Sequence, residues 1–114
     1  MKEINQMRDV FVAGIGLTRW GVYPDKECYD FGSEAIFKAL DDAGMEWKDI
    51  QAAFCGSVYQ GTGSGHQVIK EVGLTGIPII NVENACSSGG SAFRLAFQMV
   101  AADIHDVVLA LGME

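Results

Sequence analysis

The residue best equipped for chemistry is Cys86, within the run Asn84-Ala85-Cys86-Ser87-Ser88-Gly89-Gly90-Ser91. It stands where an apolar strand ends and a long apolar helix begins. A cysteine at a helix start faces unpaired N–H donors and the positive end of the macrodipole. Both favour thiolate over thiol. The same donors can stabilise an oxyanion on an acyl group carried by the sulfur. Gly89 and Gly90 each weaken a helix by about 1 kcal/mol relative to alanine. Tolerating that in a buried helix points to a close backbone approach there. A plainer reading stands beside this one: Cys86 is a small packing residue next to a Gly/Ser-rich helix start. Spacing alone pairs no base with its thiol.

The other chemistry-bearing residues carry less. Cys28 precedes the first helix and Cys55 lies mid-strand, so both read as packing residues, with Cys28 nearer the surface. His66 follows a glycine loop and His105 precedes the last strand. Neither forms a recognisable Cys–His pair. Gly14-Ile15-Gly16 lacks the third glycine of a dinucleotide fingerprint, since Arg19 stands there. Gly61-Thr62-Gly63-Ser64-Gly65 has no phosphate-loop lysine and reads as a loop that could reach a ligand or a second subunit.

The elements that must position Cys86 alternate in period. Val10–Ile15 is a continuous apolar run, predicting a strand buried on both faces. Ala35, Ile36, Ala39, Leu40 and Ala43 form one apolar helical stripe, with Asp30 as N-cap and Gly44 as a left-handed stop. Ala52–Val58 predicts a second strand, 66–72 a short helix and Ile77–Val82 a third strand. Pro78 must sit at that strand's start or on an unpaired edge. A long helix is predicted from near Cys86 to Ala102, and Val107–Leu111 is the fourth strand. The order β-α-β-α-β-α-β defines an α/β fold with a largely parallel sheet. The last helix carries apolar residues around nearly its whole circumference, so it must be buried on every side. A single sheet leaves one side wet. The run of 114 residues therefore reads as an incomplete fold, or one with an obligate partner.

Composition bounds the function. The chain is 49% hydrophobic, which excludes wholesale disorder. Eight Lys and Arg oppose 15 Asp and Glu, a net charge of -7, which argues against a nucleic-acid binder. No run reaches membrane-spanning length. The three cysteines are widely spaced, with no CxxC pair, so neither a disulfide framework nor a zinc site is expected. A reducing, cytoplasmic setting fits.

The Val82–Gly89 motif, the apolar helix after it and the closing Asp106–Glu114 run resemble the N-terminal part of thiolases. Gly73–Val82 is similar to the sterol-carrier-protein type in particular. The resemblance runs from about Val10 to Glu114. It implies a layered α-β-α-β-α fold in a longer protein, of which residues 1–114 are an incomplete N-terminal domain. Cys86 matches the family's acyl-accepting nucleophile, and its amide one oxyanion donor. Ile79–Val82 matches the strand that pairs across a two-fold axis, so a homodimer is expected, with proline at Ile80 predicted to break it. The loop around Gly63–Gln67 resembles one near that interface, and Met113 and Glu114 match the end of a strand leading toward the site.

That family's Gly-His-Pro, Cys-x-Gly and asparagine motifs fall outside these residues, so the isolated stretch is expected to be inactive. The implied substrates are coenzyme A and its acyl thioesters, with no metal or other cofactor. A small zinc-containing acyl-CoA-binding subunit is a further partner the resemblance allows. Two other readings remain open: a 3-oxoacyl synthase of the same superfamily, and a non-catalytic thiolase-like subunit.

Overall fold

The computed structural model describes residues 6–114. Three strands run parallel in the order β2-β1-β3. The central strand β1 (Ala53–Gly56) is buried at every position, which is why its sequence is apolar without alternation. It is flanked by β2 (Ile79–Val82) and β3 (Leu109–Gly112). Helices α1 (Cys28–Ala43) and α2 (Ser64–Val72) cover one face. There Ile36, Leu40, Val68 and Ile69 close on Ala53, Cys55, Leu109 and Leu111. Helix α3 (Ser88–Ala101) covers the other, with Ala92 and Ala96 against Phe54 and Ala110. The period-2 alternation of β1 thus sorts Cys55 to one core and Phe54 to the other.

Helix limits follow local chemistry. Helix α1 starts after Glu27 rather than at Asp30. Asp30 sits one turn in, where its carboxylate accepts the Glu27 N–H at 2.8 Å. Gly44 ends the helix in the left-handed conformation (φ 66°), as expected. Pro78 lies just before β2, and its carbonyl accepts the Ala53 N–H at 3.0 Å.

The first expected strand fails. Val10–Ile15 forms no strand. It lies against α1, and a Cβ on Gly14 would stand 2.6 Å from the Ala39 carbonyl and the Ala43 nitrogen. Asp42 accepts the Ile15 N–H at 2.8 Å, and Lys38 donates to the Leu17 carbonyl at 3.2 Å. A helix offers a neighbouring chain no ladder of free amides and carbonyls, and the described sheet stops at β3. Phe11 is accordingly 83% exposed. Arg8 fixes the start of this segment to the end of α3. It donates to the Val100 and His105 carbonyls and pairs with Asp106 at 2.7 Å.

Helix α3 keeps the wet side expected when a single sheet packs against it. The single described sheet covers one side only, leaving Phe93 56% and Phe97 48% exposed on the other. Among the described residues no helix is long and apolar enough to cross a membrane.

The ladder also corrects the expectation for Ile80. The Pro78 and Val82 carbonyls both point at β1, accepting from Ala53 and Ser57. By the two-residue period, Ile80 points there too. The backbone groups on the open edge of β2 are those of Ile79 and Asn81.

Candidate active site

Between β2 and α3 the chain makes a tight turn that carries Cys86. Its pivot, Ala85, is held at φ 50°, a left-handed conformation that costs a non-glycine residue about 1–2 kcal/mol. Three contacts impose it. The Glu83 carboxylate accepts the Ala85 N–H at 2.5 Å. The Ala85 carbonyl accepts the Ser88 N–H at 3.1 Å and the Ser88 hydroxyl at 2.7 Å. That buried hydroxyl also accepts the Asn84 N–H at 2.8 Å. Both sides of the turn are therefore tied to one oxygen, and strain persists because the surroundings over-determine it.

The sequence placed Cys86 at the helix start; it lies two residues before the first helical residue, Ser88, with Ser87 as N-cap. The amides of Gly89 and Gly90 have no intrahelical acceptor, as at any helix start. The expected close approach exists, but strand glycines require it. A Cβ on Gly56 would collide with the Ser88 carbonyl and stand 2.8 Å from the Gly89 nitrogen. A Cβ on Gly90 meets nothing within 4 Å.

Cys86 is exposed and lines an open cleft of about 720 Å³. Ser57, Val58 and Tyr59 form one part of its wall, with Met113 and Glu114 beside them. Arg19, Trp20, Tyr23 and Phe31 form another. Glu114, whose role spacing could not show, accepts the amides of Val58 and Tyr59, each at 3.0 Å, and the Gln60 side-chain amide at 3.2 Å. Burial pushes its pKa up, but those three hydrogen bonds outweigh it and leave the carboxyl below the ordinary glutamate value.

The other candidates lie elsewhere. Cys55 is buried in the sheet, and burial pushes its thiol up to about 12. Cys28 is half-buried. Burial, then the Glu114 and Glu27 carboxylates, push it up to about 11. The His66 ring is within hydrogen-bond distance of the Asn81 amide (3.1 Å) on the β2 edge, and His105 sits beside Arg8. Among the described residues no histidine lines the cleft, and no group of three or more His, Cys, Asp or Glu gathers as a metal site.

A parallel sheet whose strand end delivers a cysteine through a strained turn to a helix start defines an α/β fold of thiolase type. OleA from Xanthomonas campestris shares it, with a TM-score of 0.66 at 23% identity over 73% of this chain and 25% of its own. The chain belongs to the thiolase family, whose N-terminal domain matches residues 10–114. A Caenorhabditis elegans non-specific lipid-transfer protein-like 2 is 44% identical over 92% of this chain and 26% of its own length. An acetyl-CoA acetyltransferase of Methanothermobacter thermautotrophicus is 39% identical over 95% of this chain and 30% of its own. The chain thus spans between a quarter and a third of each of these relatives.

Proposed function

We propose that this chain is the N-terminal, nucleophile-bearing part of an acyl-CoA thiolase, with Cys86 as the acyl acceptor. The observation that carries the reading is the contrast among the three thiols. Cys86 is exposed on a strained turn in a cleft, while Cys28 and Cys55 are withdrawn and hard to ionise. Family membership and the acetyltransferase relative support the chemistry.

In this reading the Cys86 thiolate attacks the 3-oxo carbon of a 3-oxoacyl-CoA. Its oxygen becomes an oxyanion that the Cys86 amide helps to hold. The carbon–carbon bond breaks, an acyl-CoA leaves as its enolate and takes a proton, and the acyl group stays on sulfur. Coenzyme A then attacks the thioester and releases the cysteine. Reversed, two acyl-CoA molecules condense. The family resemblance puts the histidine and second cysteine that would serve as base and acid in motifs beyond these residues, and among the described residues no histidine and no cysteine other than Cys86 lines the cleft. No metal is required, and a cytoplasmic setting suits the free thiols. A zinc-containing acyl-CoA-binding subunit remains a partner to be sought by co-purification.

The test is peptide mapping of the full-length protein after incubation with acetoacetyl-CoA. An acetyl adduct on Cys86 is the expected result. Loading only from acyl-carrier-protein thioesters would make it a 3-oxoacyl synthase, and no adduct at all would make it a non-catalytic subunit.

The same reading pairs β2 with β2 of a second copy. Among the described residues its outer edge is unpaired, and the outward polar groups belong to Ile79 and Asn81. Ile79→Pro removes one outward N–H without touching the β1 ladder, so it is expected to convert dimer to monomer in light scattering. Ile80→Pro is expected to unfold the sheet instead. An unchanged dimer with Ile79→Pro sinks the pairing.

A further inference from the structure

Glu114 lies just past β3, and the Met113 N–H donates to the Gly56 carbonyl at 3.0 Å, extending the β1–β3 ladder to this point. The carboxylate is therefore fixed by the sheet. It meets the loop that leaves β1, one oxygen on the Val58 N–H and the other on the Tyr59 N–H and the Gln60 side chain. The loop is anchored from the opposite side as well. Ser57 donates its N–H to the Val82 carbonyl at 3.2 Å, and its hydroxyl meets that of Ser64 at 2.9 Å. The loop is thus held between the Glu114 carboxylate on one side and Val82 and Ser64 on the other, and Ser57, Val58 and Tyr59 face the same cleft as Cys86.

We propose that Glu114 is a positioning residue for substrate: it holds the Ser57–Gln60 loop as the wall of the cleft and so seats the acyl group delivered to Cys86. The inference rests on the reading of Cys86 as acyl acceptor. Glu114 is not the missing acid or base. Its carboxylate already accepts three hydrogen bonds, which favour the ionised form and hold both oxygens to the loop. Its action is through geometry, where a shift of about 1 Å at a binding wall can cost about 100-fold in productive contact.

The experiment compares the full-length protein with Glu114→Ala, Glu114→Gln and Cys86→Ala. Hydrogen exchange at the Val58 and Tyr59 amides reads the clamp itself. The acetoacetyl-CoA concentration that half-protects Cys86 from iodoacetamide reads seating. The alkylation rate without substrate reads the cysteine. Glu114→Ala is expected to speed exchange at both amides and raise the half-protecting concentration about tenfold, with alkylation unchanged within about twofold. Glu114→Gln keeps one acceptor oxygen, and its effect should be intermediate; it also stands in if the alanine variant does not fold. Unchanged exchange overturns the clamp. Normal protection, or alkylation falling in step with it, overturns the positioning role. A Cys86→Ala protein that still forms an acyl adduct removes the underlying reading instead, and leaves the exchange result to stand by itself.

Discussion

Replacing Cys86 with alanine in the full-length protein is expected to lower acyl transfer at least about 10⁴-fold, equivalent to about 5 kcal/mol of transition-state stabilisation. The size follows from the loss of a covalent step. Without the sulfur the two half-reactions cannot share an intermediate, and only binding and any oxyanion donors are left. The structure adds that neither other cysteine can take over. Cys55 lies in the sheet core, 1% exposed, and its alternation directs it to the α1/α2 face, away from the α3 turn. Cys28 is beside α2, and burial, then the Glu114 and Glu27 carboxylates, work against its thiolate. Ser87 and Ser88 flank the turn, but the Ser88 hydroxyl is consumed by the Asn84 amide and the Ala85 carbonyl. Steady-state thiolysis with acetoacetyl-CoA checks this, with circular dichroism to show that the variant is folded. A loss of less than tenfold would mean that the acyl group never rests on this residue.

Element order was legible in the sequence because the strands are short apolar runs between turn residues, with β1 buried throughout, and the helices carry apolar residues at helical spacing. The turn that carries Cys86 was legible for a different reason: a Gly/Ser-rich run between a strand and an apolar helix marks a tight turn into the helix start. What stayed hidden depends on side chains meeting backbone across the fold. The Glu114 clamp joins residues 54 to 56 positions apart, and no periodicity encodes it. The left-handed Ala85 was hidden because alanine has no preference for that conformation; Glu83 and Ser88 impose it. Val10–Ile15 misled because its apolar side chains find no sheet among the described residues: Phe11, Val12 and Ile15 stand exposed, and the run meets α1 through the backbone at Gly14.

The exposed side of α3 connects these points. Phe93 and Phe97 stand about a quarter-turn round the helix from Ala92 and Ala96, so one helix holds two apolar surfaces and the described sheet uses one. Covering a large aromatic is worth about 1.5–3 kcal/mol. If the rest of the proposed longer protein packs there, it also fixes the first turn of α3 and with it the orientation of Cys86. Assembly of the fold and competence of the thiol would then be one event.

Thiol labelling offers the second large effect. At pH 8, iodoacetamide is expected to modify Cys86 at least about 100-fold faster than Cys28, with Cys55 slower still, because only thiolate reacts. A thiol pushed up to about 11 is ionised to about one part in a thousand at that pH, and one pushed up to about 12 to about one part in ten thousand. Exposure acts in the same direction. The sign also sets an alkaline limit on stability. A thiol whose folded pKa is raised above its ordinary 9.0 favours the native state fully below that value, and the benefit fades as pH climbs through 11 and 12. Labelling of Cys28 should therefore accelerate steeply between pH 9 and 11 in the native protein, first through ionisation and then through opening of the α1–α2 face. Time-resolved peptide mapping across that range decides it. Cys28 or Cys55 labelled ahead of Cys86 at pH 8 would show that the turn before α3 does not present its sulfur to the cleft.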